Sequence, residues 1–129
     1  MKTIFITGAT SGIGKATAET FAKQGHRLII CGRRKEVLEQ LQIELSNITE
    51  VYSLVFDVRN QEEVENAIHS LPEEWKNIDV LVNNAGNAHG LESISEGNIA
   101  DWDAMMDGNV KGLLYVSQPI IKIMKARNT

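Results

Sequence analysis

Three glycines lie close together near the start of the chain, in the stretch Thr7-Gly8-Ala9-Thr10-Ser11-Gly12-Ile13-Gly14. This stretch follows a β-branched and aromatic run, Lys2 to Thr7, and opens an amphipathic segment, so the pattern predicts a strand, a glycine turn and a helix. Gly8 would allow a sharp reversal, Gly12 would let bare backbone approach a phosphate, and Gly14 would let the helix pack close to the strand. Free N–H groups and the helix dipole at that N-terminus favour a diphosphate. A glycine-rich turn without a ligand is the alternative, but three glycines at this spacing favour a dinucleotide site.

Two arginines, Arg33 and Arg34, follow the second predicted strand, His26 to Cys31. Dinucleotide-binding domains that prefer NAD carry an acidic residue about 20 residues past the glycines, whereas an arginine there accommodates a 2′-phosphate. The acid is absent here, and a guanidinium offers a planar set of donors to phosphate oxygens. The arginines could instead be solvent-facing residues at a helix start, but two cations oppose the dipole at that end. The predicted cofactor is therefore NADP.

Polar side chains follow two further predicted strands. Asp57 and Val58 come after Val51 to Phe56, and Asn83-Asn84-Ala85-Gly86 comes after Ile78 to Val82. Open α/β sheets bind their ligands at the carboxyl ends of strands, so the 83–86 run is a candidate cofactor contact, and the Asp57 carboxylate can accept a hydrogen bond from an amine. For Asp57 a turn-capping role is equally compatible with the sequence, and the asparagines could form a simple Asn-rich turn.

Apolar residues between these strands recur at helical spacing. Strands rich in Val, Ile and Leu that alternate with helices predict a doubly wound α/β fold with a parallel sheet, here as one domain over residues 1–129. We expect Gly25 to follow the end of the first helix, Asn60 and Glu63 to form a capping box, and Pro119 to kink the last helix. The predicted apolar helix faces are Ile13, Ala16, Thr20 and Phe21; Val37, Leu38, Leu41 and Leu45; Val64, Ala67, Ile68 and Leu71; and Met105, Met106, Leu113, Val116, Ile120 and Met124.

Composition narrows the class of protein. The 129 residues carry a net charge of −4 with interspersed signs, which argues against a nucleic-acid or membrane-surface partner. No apolar run is long enough for a signal peptide core or a membrane span, so we expect a cytoplasmic protein. Cys31 is the only cysteine, which excludes an internal disulfide and a cysteine-based zinc site. We expect Cys31 to be a small core residue rather than a reactive thiol.

Taken together, the T-G-x-x-x-G-x-G turn, the N-N-A-G run at 83–86 and the N-x-x-G run Asn109-Val110-Lys111-Gly112 resemble the N-terminal half of the short-chain dehydrogenase/reductase family. The resemblance implies a Rossmann-type sheet of strand order 3-2-1-4-5-6-7. It also implies that Asp57 and Val58 contact the adenine and that 83–86 lines the nicotinamide-ribose side. Asn109 would be the catalytic asparagine, whose carbonyl holds a water of the proton relay. Taken alone, an asparagine within a helix more often makes a local hydrogen bond.

Three stretches, Gly32 to Arg34, Phe56 to Asn60 and Leu71 to Asn84, are similar to NADP-dependent 3-hydroxy acid dehydrogenases, which act on serine or L-allo-threonine. The resemblance implies oxidation of the hydroxyl of a small hydroxy acid, or reduction of the matching carbonyl. In that family the catalytic Ser and Tyr-x-x-x-Lys lie beyond the position of Thr129. We therefore expect an incomplete N-terminal part with about four strands, inactive by itself, and either self-associating through the exposed edge of strand four or poorly soluble. A catalytically inert nucleotide-binding or assembly module is the alternative.

Overall fold

The computed structural model describes residues 1–10, 12–85 and 97–127. Four parallel strands form one sheet in the order β3-β2-β1-β4, as predicted. The strands are β1 (Thr3–Ile6), β2 (Arg27–Gly32), β3 (Val51–Val55) and β4 (Val80–Val82). The helices are α1 (Gly12–Lys23), α2 (Lys35–Ser46), α3 (Gln61–His69), α4 (Ile99–Met106) and α5 (Gly112–Arg127), with a short 3₁₀ turn at Glu73–Trp75 and a π-helical segment at Asp107–Lys111.

Both faces of the sheet are covered, which confirms the doubly wound fold. Phe5 of β1 and Ile29 of β2 belong to a core shared with α3 and α5, whereas Ile4 and Ile6 belong to a core shared with α1 and α2. Because successive side chains of a strand point to opposite faces, one short apolar strand contributes to both cores. Cys31 is buried in the first core, and burial raises the pKa of its thiol well above the ordinary value. The cysteine is thus a core residue, as expected.

The predicted inner face of α1 is wrong for most of its members. Ile13 is 77% exposed, and the residues of α1 that are buried are Gly14, Ala18 and Ala22. These small residues recur every four positions and let the helix axis lie close to the sheet, which a row of large side chains would prevent. The predicted faces also include exposed members elsewhere: Val37, Met106 and Leu113.

Helix ends follow the predicted chemistry in most details. At the end of α1, Gly25 has φ +85°, and the N–H groups of Gly25 and His26 donate to the carbonyls of Ala22 (2.9 Å) and Phe21 (3.1 Å). This is the Schellman pattern. The oxygen of the Asn60 side chain accepts from the N–H of Glu63 at 3.1 Å. The Asn60 N–H donates to the Asp57 carbonyl instead, so only half of the capping box forms.

The last helical stretch departs from α geometry at Asp107–Lys111, between α4 and α5. Pro119 lies inside α5 and follows this segment. Short π-helical turns inside α-helices occur frequently at functional sites. The segment contains Asn109, so the irregularity falls on a residue for which the sequence predicts a catalytic role.

Candidate functional site

The glycine turn connects β1 to α1 at the carboxyl edge of the sheet. Gly8 and Gly12 have φ of +62° and +57°, a region that L side chains rarely adopt, which explains two of the glycines. A Cβ on Gly12 would meet no described atom within 4 Å, so its backbone is open to an incoming group. Ile13 follows it and is exposed at the same helix end. Ser11 lies outside the described residues.

Gly14 serves close packing rather than an unusual backbone conformation. A Cβ at this position would overlap the Gly8 carbonyl oxygen and lie 2.6 Å from Nδ2 of Asn84. The Asn84 side chain itself donates to the Gly8 carbonyl at 3.3 Å. Gly14 thus brings α1 close to the turn at Gly8, and Asn84 is part of that contact.

The hydroxyl of Thr7 joins the end of β1 to the residues after β4. Thr7 is fully buried, and its Oγ1 accepts the N–H groups of Asn84 (3.0 Å) and Ala85 (2.9 Å) while donating to Oδ1 of Asn83 (3.3 Å). Because two backbone donors converge on one oxygen, the course of the chain after β4 depends on this side chain. Gly86 lies outside the described residues.

Asn83 connects the same strand end to α5. Its Nδ2 donates to the Leu113 carbonyl at 3.1 Å and to Oγ of Ser117 at 2.9 Å. Its oxygen faces Thr7, so the amide orientation is set by a donor on one side and two acceptors on the other. The N-N-A-G run therefore holds the sheet, the glycine turn and the first turns of α5 in one arrangement.

Both predicted phosphate-binding arginines are exposed at the end of β2. Nη2 of Arg34 donates to Oγ1 of Thr10 at 3.2 Å, which brings this guanidinium to the glycine turn. Gly32 makes room for that approach, because a Cβ there would lie 3.2 Å from Cγ2 of Thr10. The N–H of Ala9 donates to the Cys31 carbonyl at 3.2 Å and ties the turn to β2. Arg34 thus lies beside the glycine turn, and Arg33 is its neighbour in the chain.

Asp57 is held by Arg59, a residue for which the sequence predicted no role. The guanidinium donates from Nε to Oδ1 (3.0 Å) and from Nη2 to Oδ2 (2.7 Å), and the Arg59 N–H also donates to Oδ1 (3.0 Å). These bonds hold the pKa of the Asp57 carboxyl below its ordinary value, with a smaller contribution from the charge of Arg33. Asp57 is therefore an ionised turn residue, and an ionised carboxylate only accepts hydrogen bonds.

Asn109 lies on an exposed position of the π-helical segment, three residues before α5 begins at Gly112. Val58, the neighbour of Asp57, contacts the start of α5 and so lies between the two regions. Among residues 1–10, 12–85 and 97–127, no group of three His, Cys, Asp or Glu side chains could hold a metal ion. In the same ranges, no helix has the length and apolarity needed to cross a membrane.

Sequence reasoning assigned no role to Thr7, Arg59 or Ser117. Thr7 stands inside the glycine motif, yet its partners are 76 to 78 residues away, so no local pattern reveals them. Arg59 lies two residues after Asp57, and that spacing within a turn is a usable signal for an ion pair.

These features fit a dinucleotide phosphate. An open glycine backbone lies at a helix N-terminus, two exposed guanidinium groups stand one strand away, and an acceptor carboxylate stands one strand further. No acidic side chain follows β2 directly, where it would repel a 2′-phosphate.

Comparison with known proteins finds similar chains that are named as dehydrogenases or reductases. The chain is 44% identical over 125 residues to the NADP-dependent 3-hydroxy acid dehydrogenase YdfG of Escherichia coli, covering 97% of this chain and 50% of that protein. It is 43% identical over 118 residues to sulfoacetaldehyde reductase 2 of Chromohalobacter salexigens, covering 92% and 47%. The closed form of a serine dehydrogenase complexed with NADP⁺ matches with a TM-score of 0.89 at 43% identity, covering 98% of this chain and 50% of that one.

The chain spans about half the length of the curated relatives it matches. The sequence profile of the short chain dehydrogenase family matches residues 2–129. With its parallel sheet, its glycine turn and this match over nearly all of its residues, the chain belongs to the short-chain dehydrogenase family of oxidoreductases.

Proposed function

We propose that residues 1–129 form the dinucleotide-binding part of an NADP-dependent oxidoreductase. The observation that carries the proposal is the contact of 3.2 Å between Nη2 of Arg34 and Oγ1 of Thr10, which joins an arginine pair to the glycine turn. A diphosphate at the open backbone of Gly12 would then have a cationic surface within reach of its adenosine ribose. Relatives named for NADP dependence support the same cofactor.

Within this proposal each group of residues has one task. The backbone of Gly8 to Gly14 receives the diphosphate, and Arg33 and Arg34 receive the 2′-phosphate. Asp57 and Val58 lie at the adenine, and Asn83 to Gly86 line the nicotinamide-ribose side. The bound nicotinamide supplies the exchange of a hydride with the substrate carbon. Asn109 contributes its carbonyl to the proton relay that accompanies the exchange.

The substrate we propose is a small 3-hydroxy acid such as serine or L-allo-threonine, oxidised at its hydroxyl, or the matching carbonyl compound in reverse. Support comes from relatives named 3-hydroxy acid dehydrogenase and serine dehydrogenase, each matched over about half of its length. The experiment measures NADP reduction with each acid by a full-length enzyme that contains this sequence, with the Escherichia coli relative as a positive control. Activity of a full-length enzyme that contains this sequence on other alcohols only would exclude this substrate class.

We also propose that these 129 residues bind the cofactor without catalysing hydride transfer. Neither Tyr52 nor Tyr115 has a lysine four residues later, since Phe56 and Pro119 stand there. A proton donor of matched pKa typically supplies about 10²–10⁴-fold in rate, which cofactor orientation does not replace. Turnover within tenfold of the positive control would contradict this proposal. NADPH binding without turnover would also fit the alternative, an inert nucleotide-binding module. Turnover by a full-length enzyme that contains this sequence would exclude that alternative, and absence of turnover would support it.

Cofactor preference gives the direct test of the binding proposal. Titration with NADPH and NADH by fluorescence should show tighter binding of NADPH. Arg33→Ala should weaken NADPH by about 1.5–3 kcal/mol, the range for a lost charged hydrogen bond, and affect NADH less. Lys35→Ala removes a neighbouring cation that faces Glu39 at 4.0 Å and should leave the preference unchanged. Equal weakening of both cofactors by Arg33→Ala would reject the assignment.

Self-association through the sheet edge is a further part of the proposal. Val80–Val82 pairs with β1 on one side, and no described strand pairs with its other side. Unpaired strand edges recruit other chains. Light scattering should therefore report dimers or larger species, and a monomer at high concentration would contradict the idea.

A further inference from the structure

The turn formed by Asp57, Val58 and Arg59 lies directly against the start of α5. A Cβ built on Gly112 would lie 2.8 Å from Cγ2 and 3.0 Å from Cβ of Val58. Valine has few rotamers and cannot yield easily, so the bare backbone of Gly112 is what permits this approach. The first residue of α5 is thereby placed by the turn that follows β3.

Charges connect the same two segments. Arg59 pairs with Asp57 at 2.7 Å, and the negative charge of Asp107 acts on Arg59 as well. Asp107 in turn pairs with Lys111 at 3.4 Å across the π-helical segment. Asp57, Arg59 and Asp107 line one open pocket of about 810 Å³, so the alternating charges face a shared space.

Both ends of the π-helical segment lie beside the 57–59 turn. Asp107, its first residue, lines the same pocket as Arg59, and Gly112, which follows its last residue, contacts Val58. Asn109 lies between the two. A π-helical turn is an uncommon backbone geometry, so its shape depends on its surroundings more than that of an α-helix does. A shift of the 57–59 turn would therefore move the backbone at Asn109.

We propose that Val58 and Arg59 are positioning residues that couple the adenine end of a bound dinucleotide to Asn109. A ligand that contacts Asp57 fixes the turn, and the turn fixes Gly112, Asp107 and the segment between them. This inference rests on the proposed function, because the ligand must reach Asp57. Coupling of this kind is reciprocal, so a fixed segment also favours binding at the adenine end.

Hydrogen exchange with adenosine 2′,5′-bisphosphate tests the coupling. This probe has the adenine and the 2′-phosphate but no nicotinamide, so it has no group that belongs at Asn109. At saturating probe, amides of residues 107–111 in the wild-type chain should exchange at least threefold more slowly. At equal occupancy, Arg59→Ala should lose this slowing, while Lys76→Ala, which breaks an exposed pair with Glu73 elsewhere, should keep it.

Gly112→Ala offers a second variant with a built-in rescue. The added methyl should displace the segment and remove the slowing, and Val58→Ala in the same chain should restore it to within twofold of wild type. A loss of slowing that Val58→Ala fails to restore would overturn the role given to the Val58–Gly112 contact. Slower exchange near Gly12 and Arg33 without any change at 107–111 overturns the coupling and leaves the proposed function standing. No change anywhere at saturating probe rejects the proposed function and this inference together.

Discussion

The two ends of the β1–β4 pair are joined by different chemistry. At the amino end, the carboxylate of Asp79 accepts the N–H of Thr3 at 2.9 Å and Nη2 of Arg127 at 2.8 Å, while Arg127 also donates to the Ile78 carbonyl at 2.9 Å. At the carboxyl end, the neutral hydroxyl of Thr7 takes the corresponding place, with two N–H donors and one acceptor.

The difference suits a sheet in which the amino end serves stability and the carboxyl end serves the proposed cofactor binding. In the charged clamp at the amino end, both carboxylate oxygens of Asp79 accept hydrogen bonds from within the chain. At the carboxyl end, a neutral hydroxyl holds the strands without adding a negative charge near the proposed phosphate site. The open backbone of Gly12 and the exposed Arg33 and Arg34 then remain for a ligand.

The largest effect should come from the carboxyl end, with Gly14→Ala. The added methyl would overlap the Gly8 carbonyl oxygen, so helix and turn must separate. We expect a loss of about 3 kcal/mol in the free energy of unfolding, the upper part of the usual range for overpacking. Urea denaturation measures it.

Gly12→Ala is the matched control for that variant. It meets no described atom and carries only the strain of φ +57°, about 1–2 kcal/mol. It should nevertheless weaken NADPH binding strongly, because the added methyl would stand where the cofactor is proposed to contact the Gly12 backbone. Equal losses of stability in the two variants would show that packing does not distinguish the two glycines.

Thr7→Val and Thr3→Val compare the two ends of β1 with the same isosteric change. At Thr7 the change leaves the N–H groups of Asn84 and Ala85 without their acceptor, which should cost about 2 kcal/mol. At Thr3 the bonds to Asp79 are made by the backbone, so the change should be nearly neutral. Thermal unfolding of both variants measures the contrast, and similar midpoints would refute it.

The fold was predictable because its signals are local and repeated. The Leu38, Leu41 and Leu45 stripe and the glycine after α1 arise from spacing within one segment. The buried face of α1 could not be predicted in the same way. Gly14, Ala18 and Ala22 carry little apolar surface, so the larger Ile13 dominated the apolar pattern. Helix packing distance, rather than hydrophobicity, decides which side of α1 faces the sheet.

The candidate site was predictable in its position and less so in its internal bonds. Motif spacing located the glycine turn, the arginines and the asparagines at one sheet edge, since parallel strands end there. The acceptor role of Thr7 and the contact of Val58 with Gly112 join segments that are far apart in the chain. Such contacts depend on the register of the strands and the entry of α5, which spacing alone does not determine.

Arg127→Ala sharpens the comparison from the amino end. The clamp is about a third exposed, with side-chain exposures of 34% for Arg127 and 28% for Asp79, so its loss should cost only about 1 kcal/mol. NADPH affinity should stay within twofold of wild type, because the clamp is at the opposite end of the sheet. A large fall in affinity would mean that the two ends are not independent.

The smallest expected effect is on the free energy of unfolding at acidic pH. The pKa of Asp79 is lowered by the Thr3 N–H and then by Arg127, so the unfolded chain binds more protons than the folded one as pH falls. Its stabilisation is fully present only well above the ordinary value of 3.8 and is lost as pH falls through that value toward the lowered one. Asp79→Asn should flatten that part of the curve by about 0.5 kcal/mol. An unchanged acid limb in urea denaturation at pH 3 and 6 would contradict this.

The buried Cys31 allows the rate of local opening of this chain to be measured. Its thiol is the sole one in the sequence, is 1% exposed, and carries a raised pKa that keeps it protonated. A thiol reagent in solution can therefore react only with molecules in which the β2 region has separated from α3 and α5. The alkylation rate of the single cysteine reports the frequency of that opening without any added label. A bound dinucleotide that stabilises the carboxyl edge of the sheet would lower this rate.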